Sequence, residues 1–407
     1  MKYDFTSIIR RQGMDALAVE SVGQRLWGGE PAAPGPGFDV IPMWVADMNF
    51  ATCPSIPAAI IARAEHPLYG YFTPREEYYD KIIRWQTRRH GFQGLERCHI
   101  GYENGVHGFI TSAVETLSAP GDRILLHSPT YVGFASDVEG LGRTSVYSPL
   151  KLDEHGIWRM DYEDMDAKLK EHHIHLAIFC SPHNPTGRVW ERWELERAME
   201  VFEANQCLVI SDEIWADITY PGHPHIPTLM VNRWAREHAV AAYAPSKTFN
   251  LAGLIGSYHI IYNPYLRDRV RAKGRATHYN EMNVLSMHAL LGAYTPEGEE
   301  WLGELLQVLE GNCAYAWEHV RDCYDGVSAA LPQGTYMLFL DLTGYCSRTG
   351  RTLDEVLRAG WAVGVAWQDG RRFNGPCHIR MNLASPLSRV QEAFRRLDRY
   401  VFADARP

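Results

Sequence analysis

Five short apolar runs in the middle of the chain, at 123–127 (RILLH), 175–180 (HLAIFC), 207–211 (CLVIS), 239–244 (AVAAYA) and 257–262 (SYHIIY), constrain its fold more than any other feature. Each ends in polar or turn-forming residues, and amphipathic helical patterns such as 161–171 and 191–205 lie between several of them. Strands alternating with helices at this spacing predict a parallel sheet covered by helices, and so one large α/β domain over 50–290. Upstream, 28–37 (GGEPAAPGPG) is a Pro/Gly linker, so 1–49 reads as an N-terminal arm. After Tyr294-Thr295-Pro296 the pattern changes to a long helix at 299–323, followed by strand-like runs at 335–342, 361–367 and 378–383. These predict a smaller α+β domain over 291–407, to which part of the N-terminal arm belongs.

Composition excludes several classes of function. With 40 Lys+Arg against 49 Asp+Glu the chain carries a formal charge of -9, a poor match for nucleic acid. No stretch reaches the ~18 consecutive apolar residues of a membrane span. The N-terminus, Met1-Lys2-Tyr3-Asp4-Phe5, lacks the apolar core of a signal peptide, so a cytoplasmic protein is expected. The eight cysteines are scattered with no CxxC pair and read as reduced, mostly buried thiols. The histidines at 172, 173, 175, 223 and 225 have no carboxylate or Cys partner at helical spacing, so they read as solvated surface or turn residues and no metal site is expected.

In an open parallel sheet, ligands bind beyond the carboxyl ends of the strands, so the residues just after each run are where chemistry is expected. Ser128-Pro129-Thr130-Tyr131 follows the first run, Ser181-Pro182-His183-Asn184-Pro185-Thr186-Gly187 the second, Asp212-Glu213-Ile214-Trp215 the third and Pro245-Ser246-Lys247-Thr248 the fourth. Asn184, Asp212 and Lys247 at successive strand ends would converge on one cleft. Taken singly, each has a plainer use: Lys247 a solvated loop charge, Asp212 a helix N-cap, Asn184 an Asx turn and Tyr131 a core residue.

Their company points further. The strings SPHNPTG, SDEIWAD and SKTFNLAGL resemble the pyridoxal-phosphate motifs of fold-type I, class I/II aminotransferases. With MWVADMNF at 43–50 and HIRMNLASP at 378–386, the resemblance narrows to the MalY/PatB branch, the cystathionine β-lyase or cysteine-conjugate β-lyase enzymes. It implies an α/β fold with a mostly parallel seven-stranded sheet in the large domain, pyridoxal 5'-phosphate as cofactor and an amino acid as substrate. Lys247 would then be the amine that condenses with the cofactor aldehyde and later serves as base. Asp212 would keep the ring nitrogen protonated, and Asn184 would hydrogen-bond the ring O3′. Tyr131 would stack on the ring, while Gly105 and Val106, opening the helical run after Asn104, would bind the phosphate with the Ser246 hydroxyl. Tyr71 resembles the tyrosine that reaches the phosphate of a neighbouring subunit, which implies a homodimer with shared active sites. Arg380 would pair with the substrate carboxylate, over which the backbone at Ala46 closes; the alternative for Arg380 is a surface salt bridge.

Three positions depart from the pattern. Ala244 stands where a Ser is frequent and removes one phosphate hydroxyl. Trp215 stands where related aminotransferases have a Tyr, and an indole can donate one hydrogen bond but cannot relay a proton. Asn49 stands where Asp is commoner. The expected reaction is β-elimination at a carbon–sulfur bond, giving pyruvate, ammonia and a thiol. The alternative is transamination, which the same residues serve.

Overall fold

A computed structural model of the chain describes residues 1–24, 26 and 28–404, so the last three residues of the expected C-terminal domain lie outside the described residues. The apolar runs form five strands of a seven-stranded sheet: β1 (Ile100–Glu103), β2 (Arg123–Ser128), β3 (Thr144–Pro149), β4 (Leu176–Cys180), β5 (Leu208–Asp212), β6 (Ala239–Tyr243) and β7 (Ser257–Ile260), of which β1 and β3 lie outside the runs. Their spatial order is β1-β7-β6-β5-β4-β2-β3. β6, β5, β4, β2 and β3 run parallel, with Cys180 opposite Asp212 and Asp212 opposite Ala242. Every residue of β4 and β6 is buried, as expected for strands covered on both faces by helices.

The 257–262 run departs from the expected parallel course, because β7 is antiparallel to both β6 and β1. A parallel return needs a crossover of about a dozen residues, usually helical. Here the connection is used instead for the short helix Pro245–Thr248, which carries Lys247, and for a tight turn at 252–254. Two helices lead away from strand ends toward the site: α1 (Gly105–Leu117) after β1 and α2 (Val132–Gly140) after β2.

A second sheet is fully antiparallel, with order β8 (Ser328–Ala329), β9 (Met337–Asp341), β11 (His378–Asn382), β10 (Gln368–Asp369). The long helix Pro296–Cys323 packs beside it, and the helix Leu387–Tyr400 packs on the long helix. The long helix starts where sequence chemistry dictates: the Thr295 hydroxyl accepts from the Gly298 N–H, and Pro296 occupies the first turn. The strand-like run at 361–367 is mostly not strand. Trp361 and Ala362 close the helix Leu353–Ala362, Gly364 breaks it at φ +81°, and only Val365–Ala366 is extended. That pair runs parallel to Ile41–Pro42 of the N-terminal arm.

One histidine reading is corrected. His225 is buried rather than solvated, and its Nε2 lies 2.7 Å from Glu213 Oε2 at the end of β5. The partner is distant in sequence, so no helical spacing could disclose it. His172, His173, His175 and His223 are exposed or half-buried. All eight cysteines are free thiols, four of them buried. Among the described residues no helix is long and apolar enough to cross a membrane.

Candidate active site

A cavity of about 280 Å³ opens beyond the carboxyl ends of β1, β2, β4, β5 and β6. It gathers Tyr131, Asn184, Asp212, Trp215, Ser246 and Lys247 from four separate stretches of chain, together with the α1 entry at Gly105 and Val106 and the backbone of Ala46. The strand-end argument therefore locates the site.

Lys247 Nζ donates to the Ala46 carbonyl at 2.9 Å, and the Tyr336 hydroxyl donates to the same oxygen at 3.1 Å. Burial lowers the amine's pKa, because desolvation penalises the ammonium. The ammonium also lies 5.8 Å from the centre of the Trp215 ring, which itself meets Tyr336 edge-on at 4.7 Å. Asp212, the last residue of β5, accepts the Ile214 N–H through Oδ1 and has no ion-pair partner among the described residues. Burial raises its pKa to about 6. A buried carboxylate of this kind at a cavity wall fits a protonated heterocyclic nitrogen, which would supply the missing positive charge.

At the other end, α1 presents its first-turn amides to the cavity. Gly105 holds φ at +75°, a conformation that L side chains rarely adopt, so the turn into the helix favours glycine. Backbone N–H groups at a helix start, with the Ser246 hydroxyl nearby, fit a phosphate group.

Arg380, on β11, is 3% exposed. Its guanidinium donates to Asn184 Oδ1 at 3.1 Å, the Trp44 carbonyl at 2.8 Å and Gln368 Oε1 at 2.6 Å, and it covers the Phe373 ring at 4.3 Å. Its Nε has no hydrogen-bond partner, and among the described residues no carboxylate pairs with it. Burial lowers its pKa to about 10. A buried cation held only by neutral acceptors fits an anionic ligand that the chain does not itself provide.

Two expected residues differ in placement. Arg380 does not line the cavity wall and meets it through Asn184. Tyr71 is fully exposed, away from the cavity of its own protomer. The supports Gln368, Tyr336 and Trp44 were absent from the sequence reading, since nothing in their local pattern distinguishes them from core. His107 is a further residue that sequence reasoning does not single out, and its Nε2 lies 3.0 Å from the Tyr131 hydroxyl. The departures are accommodated: Ala244 is buried, and the Asn49 side chain accepts from Arg11, which also pairs with Asp47.

A lysine amine, an unpaired acid and a helix-start anion cradle on one cavity, with an acid-free arginine behind Asn184, fit a phosphate-bearing heterocycle and a carboxylate. Residues 39–397 match the aminotransferase class I and II family, and the chain belongs to that family. Among its relatives, cystathionine beta-lyase PatB of Bacillus subtilis (strain 168) is 32% identical over 361 residues, covering 88% of this chain and 92% of that protein. Protein MalY of Escherichia coli (strain K12) is 29% identical over 399 residues, 96% of each chain. The crystal structure of the PLP-bound C-S lyase from Staphylococcus hominis matches with a TM-score of 0.88 at 29% identity, covering 98% of each chain.

Proposed function

We propose that this chain is a pyridoxal-phosphate-dependent carbon–sulfur β-lyase acting on cystathionine or cysteine S-conjugates and giving pyruvate, ammonia and a thiol. The observation that carries the reading is a desolvated Lys247 amine in the same cavity as Asn184, through which the buried, acid-free Arg380 guanidinium reaches that cavity. The relatives named as lyases favour elimination over transamination.

Asp212, Asn184, Tyr131, Trp215 and Lys247 would hold the cofactor ring, with Gly105, Val106 and Ser246 at its phosphate. When bound, the cofactor supplies an electron sink for negative charge at the substrate Cα. Arg380 and Asn184 bind the α-carboxylate and fix which Cα bond faces Lys247. Lys247 Nζ removes the α-proton, a task suited to an amine that burial has made easier to deprotonate. The Cβ–S bond then breaks with its electron pair on sulfur. The Ala46 carbonyl steers the amine through the hydrogen bond already described.

We further propose a homodimer in which Tyr71 completes the partner's phosphate site. The surrounding loop supports this, because Leu68, Tyr69 and Tyr71 are all exposed on one protomer. Eight unpaired thiols support a reducing, cytoplasmic setting.

Incubating the cofactor-loaded protein with cystathionine and no 2-oxo acid is the test: pyruvate and thiol release is expected. A strict requirement for an oxo-acid acceptor would instead assign an aminotransferase. Borohydride reduction and peptide mapping should find the cofactor on Lys247, and another lysine would overturn the assignment of roles.

A further inference from the structure

An elimination that expels a thiolate into a cavity needs a proton for the sulfur: the Lys247 ammonium formed by taking the α-proton is one donor, and a second acid on the cavity wall would leave that amine out of the step. The other titratable hydroxyl on the cavity wall is Tyr131. Its oxygen lies 3.0 Å from His107 Nε2, and His107 Nδ1 lies 2.7 Å from Asp137 Oδ2. The three groups come from different places: His107 from the first turn of α1, Tyr131 from the cap of α2, and Asp137 from the middle of α2.

Their meeting depends on an absent side chain. Gly133 lies in the first turn of α2, and a Cβ there would come within 2.0 Å of His107 Cε1 and 2.7 Å of Tyr131 Cε1. Its φ is not in the left-handed region, so backbone conformation does not call for glycine here. The space it leaves is filled by the imidazole and the phenol ring, whose centres are 5.3 Å apart.

We propose that Asp137 and His107 form a proton relay to the Tyr131 hydroxyl, which protonates the departing sulfur. This rests on the lyase reading above. As the C–S bond breaks with its electron pair on sulfur, the Tyr131 O–H proton passes to sulfur and the His107 Nε2 proton passes to the phenol oxygen. Asp137 keeps the Nδ1 proton in place. His107 then regains a proton from solvent, to which its side chain is half-exposed. His107 lines the cavity and Asp137 stands behind it; both act on the sulfur only through Tyr131 and are positioning residues for it.

The electrostatics agree. Desolvation works against the imidazolium, but the bond to Asp137 and the nearby phenol oxygen outweigh it and raise the His107 pKa. Burial pushes the Tyr131 hydroxyl up, yet His107, Lys247 and Arg380 together bring it below its ordinary value.

Two substrates separate the relay from a structural role. S-ethylcysteine releases a thiolate that needs a proton, whereas β-chloroalanine releases chloride, which does not. In His107→Gln, which keeps a donor but no titratable proton, the ratio of S-ethylcysteine to β-chloroalanine turnover is expected to fall about tenfold or more. Asp137→Asn, away from the cavity wall, should lower the same ratio by a smaller factor, and it carries the test alone if His107→Gln does not fold. A ratio within about twofold of wild type in the folded variants overturns the relay while leaving the lyase reading intact. Pyruvate from neither substrate with the wild-type protein overturns the lyase reading and the relay with it.

Discussion

At the scale of single residues, the site is built from charges left without their usual partners. Arg380 is the sharpest case, with three neutral acceptors and no acid. Arg380→Lys keeps the charge but loses the planar fork. A loss of about 2 kcal/mol in carboxylate binding, roughly 30-fold in kcat/KM, should appear mainly in KM in steady-state assays. Asp212 gives a pH signature. Its folded pKa, raised by burial to about 6, exceeds the ordinary 3.8, so the folded state favours the protonated acid. The stability this contributes is fully present below about pH 4 and is lost as pH rises through about 6, on the order of 3 kcal/mol in the cofactor-free protein. Asp212→Asn removes that dependence. The denaturation free energy of the variant minus that of wild type should therefore climb between pH 4.5 and 6.5, and a flat difference would contradict the assignment. Residues such as Asp212 and Lys247 were legible in the sequence because each follows an apolar run directly. His225 and His107 were not, because Glu213 and Tyr131, which they meet, are brought to them only by folding.

At the scale of elements, the five apolar runs became the five interior strands of the sheet, and the two strands they missed are its edges. β1 and β3 lie at the ends of the strand order and are only partly buried, so their sequences, IGYE and TSVYSP, carry no continuous apolar run to read. The direction of β7 was equally hidden, because an apolar run looks the same in either orientation. The turn between β1 and α1 carries its own prediction. In Gly105→Ala the added Cβ would meet Ile255 Cγ2 at an ordinary 3.7 Å, so space is not the obstacle and the left-handed φ is. About 1–2 kcal/mol of stability should be lost. Because the strain falls on the amides proposed for the phosphate, cofactor affinity measured by absorbance titration should drop as well.

At the scale of the whole molecule, the site joins distant parts of one chain and, in our reading, of two. Tyr71→Phe should weaken cofactor retention roughly tenfold while leaving the fold's thermal stability in place, since the side chain touches nothing in its own protomer. Dilution below the dimer dissociation constant should reduce specific activity in parallel. Within a protomer, the segment 43–49 is held by β11 and the residues after it. The Asn382 N–H donates to Met43, its side chain donates to Val45 and Asp47, Arg380 donates to Trp44, and the Asn49 N–H donates to the Ala384 carbonyl. Trp44 thus waits for a partner 336 residues later in the chain. At roughly 5–20 residues added per second, a ribosome leaves that early stretch unpaired for on the order of tens of seconds. The nascent polypeptide can complete its sheet, and with it the residues proposed for the cofactor, well before this wall of the cavity exists, so closure over the substrate carboxylate becomes an event that follows translation.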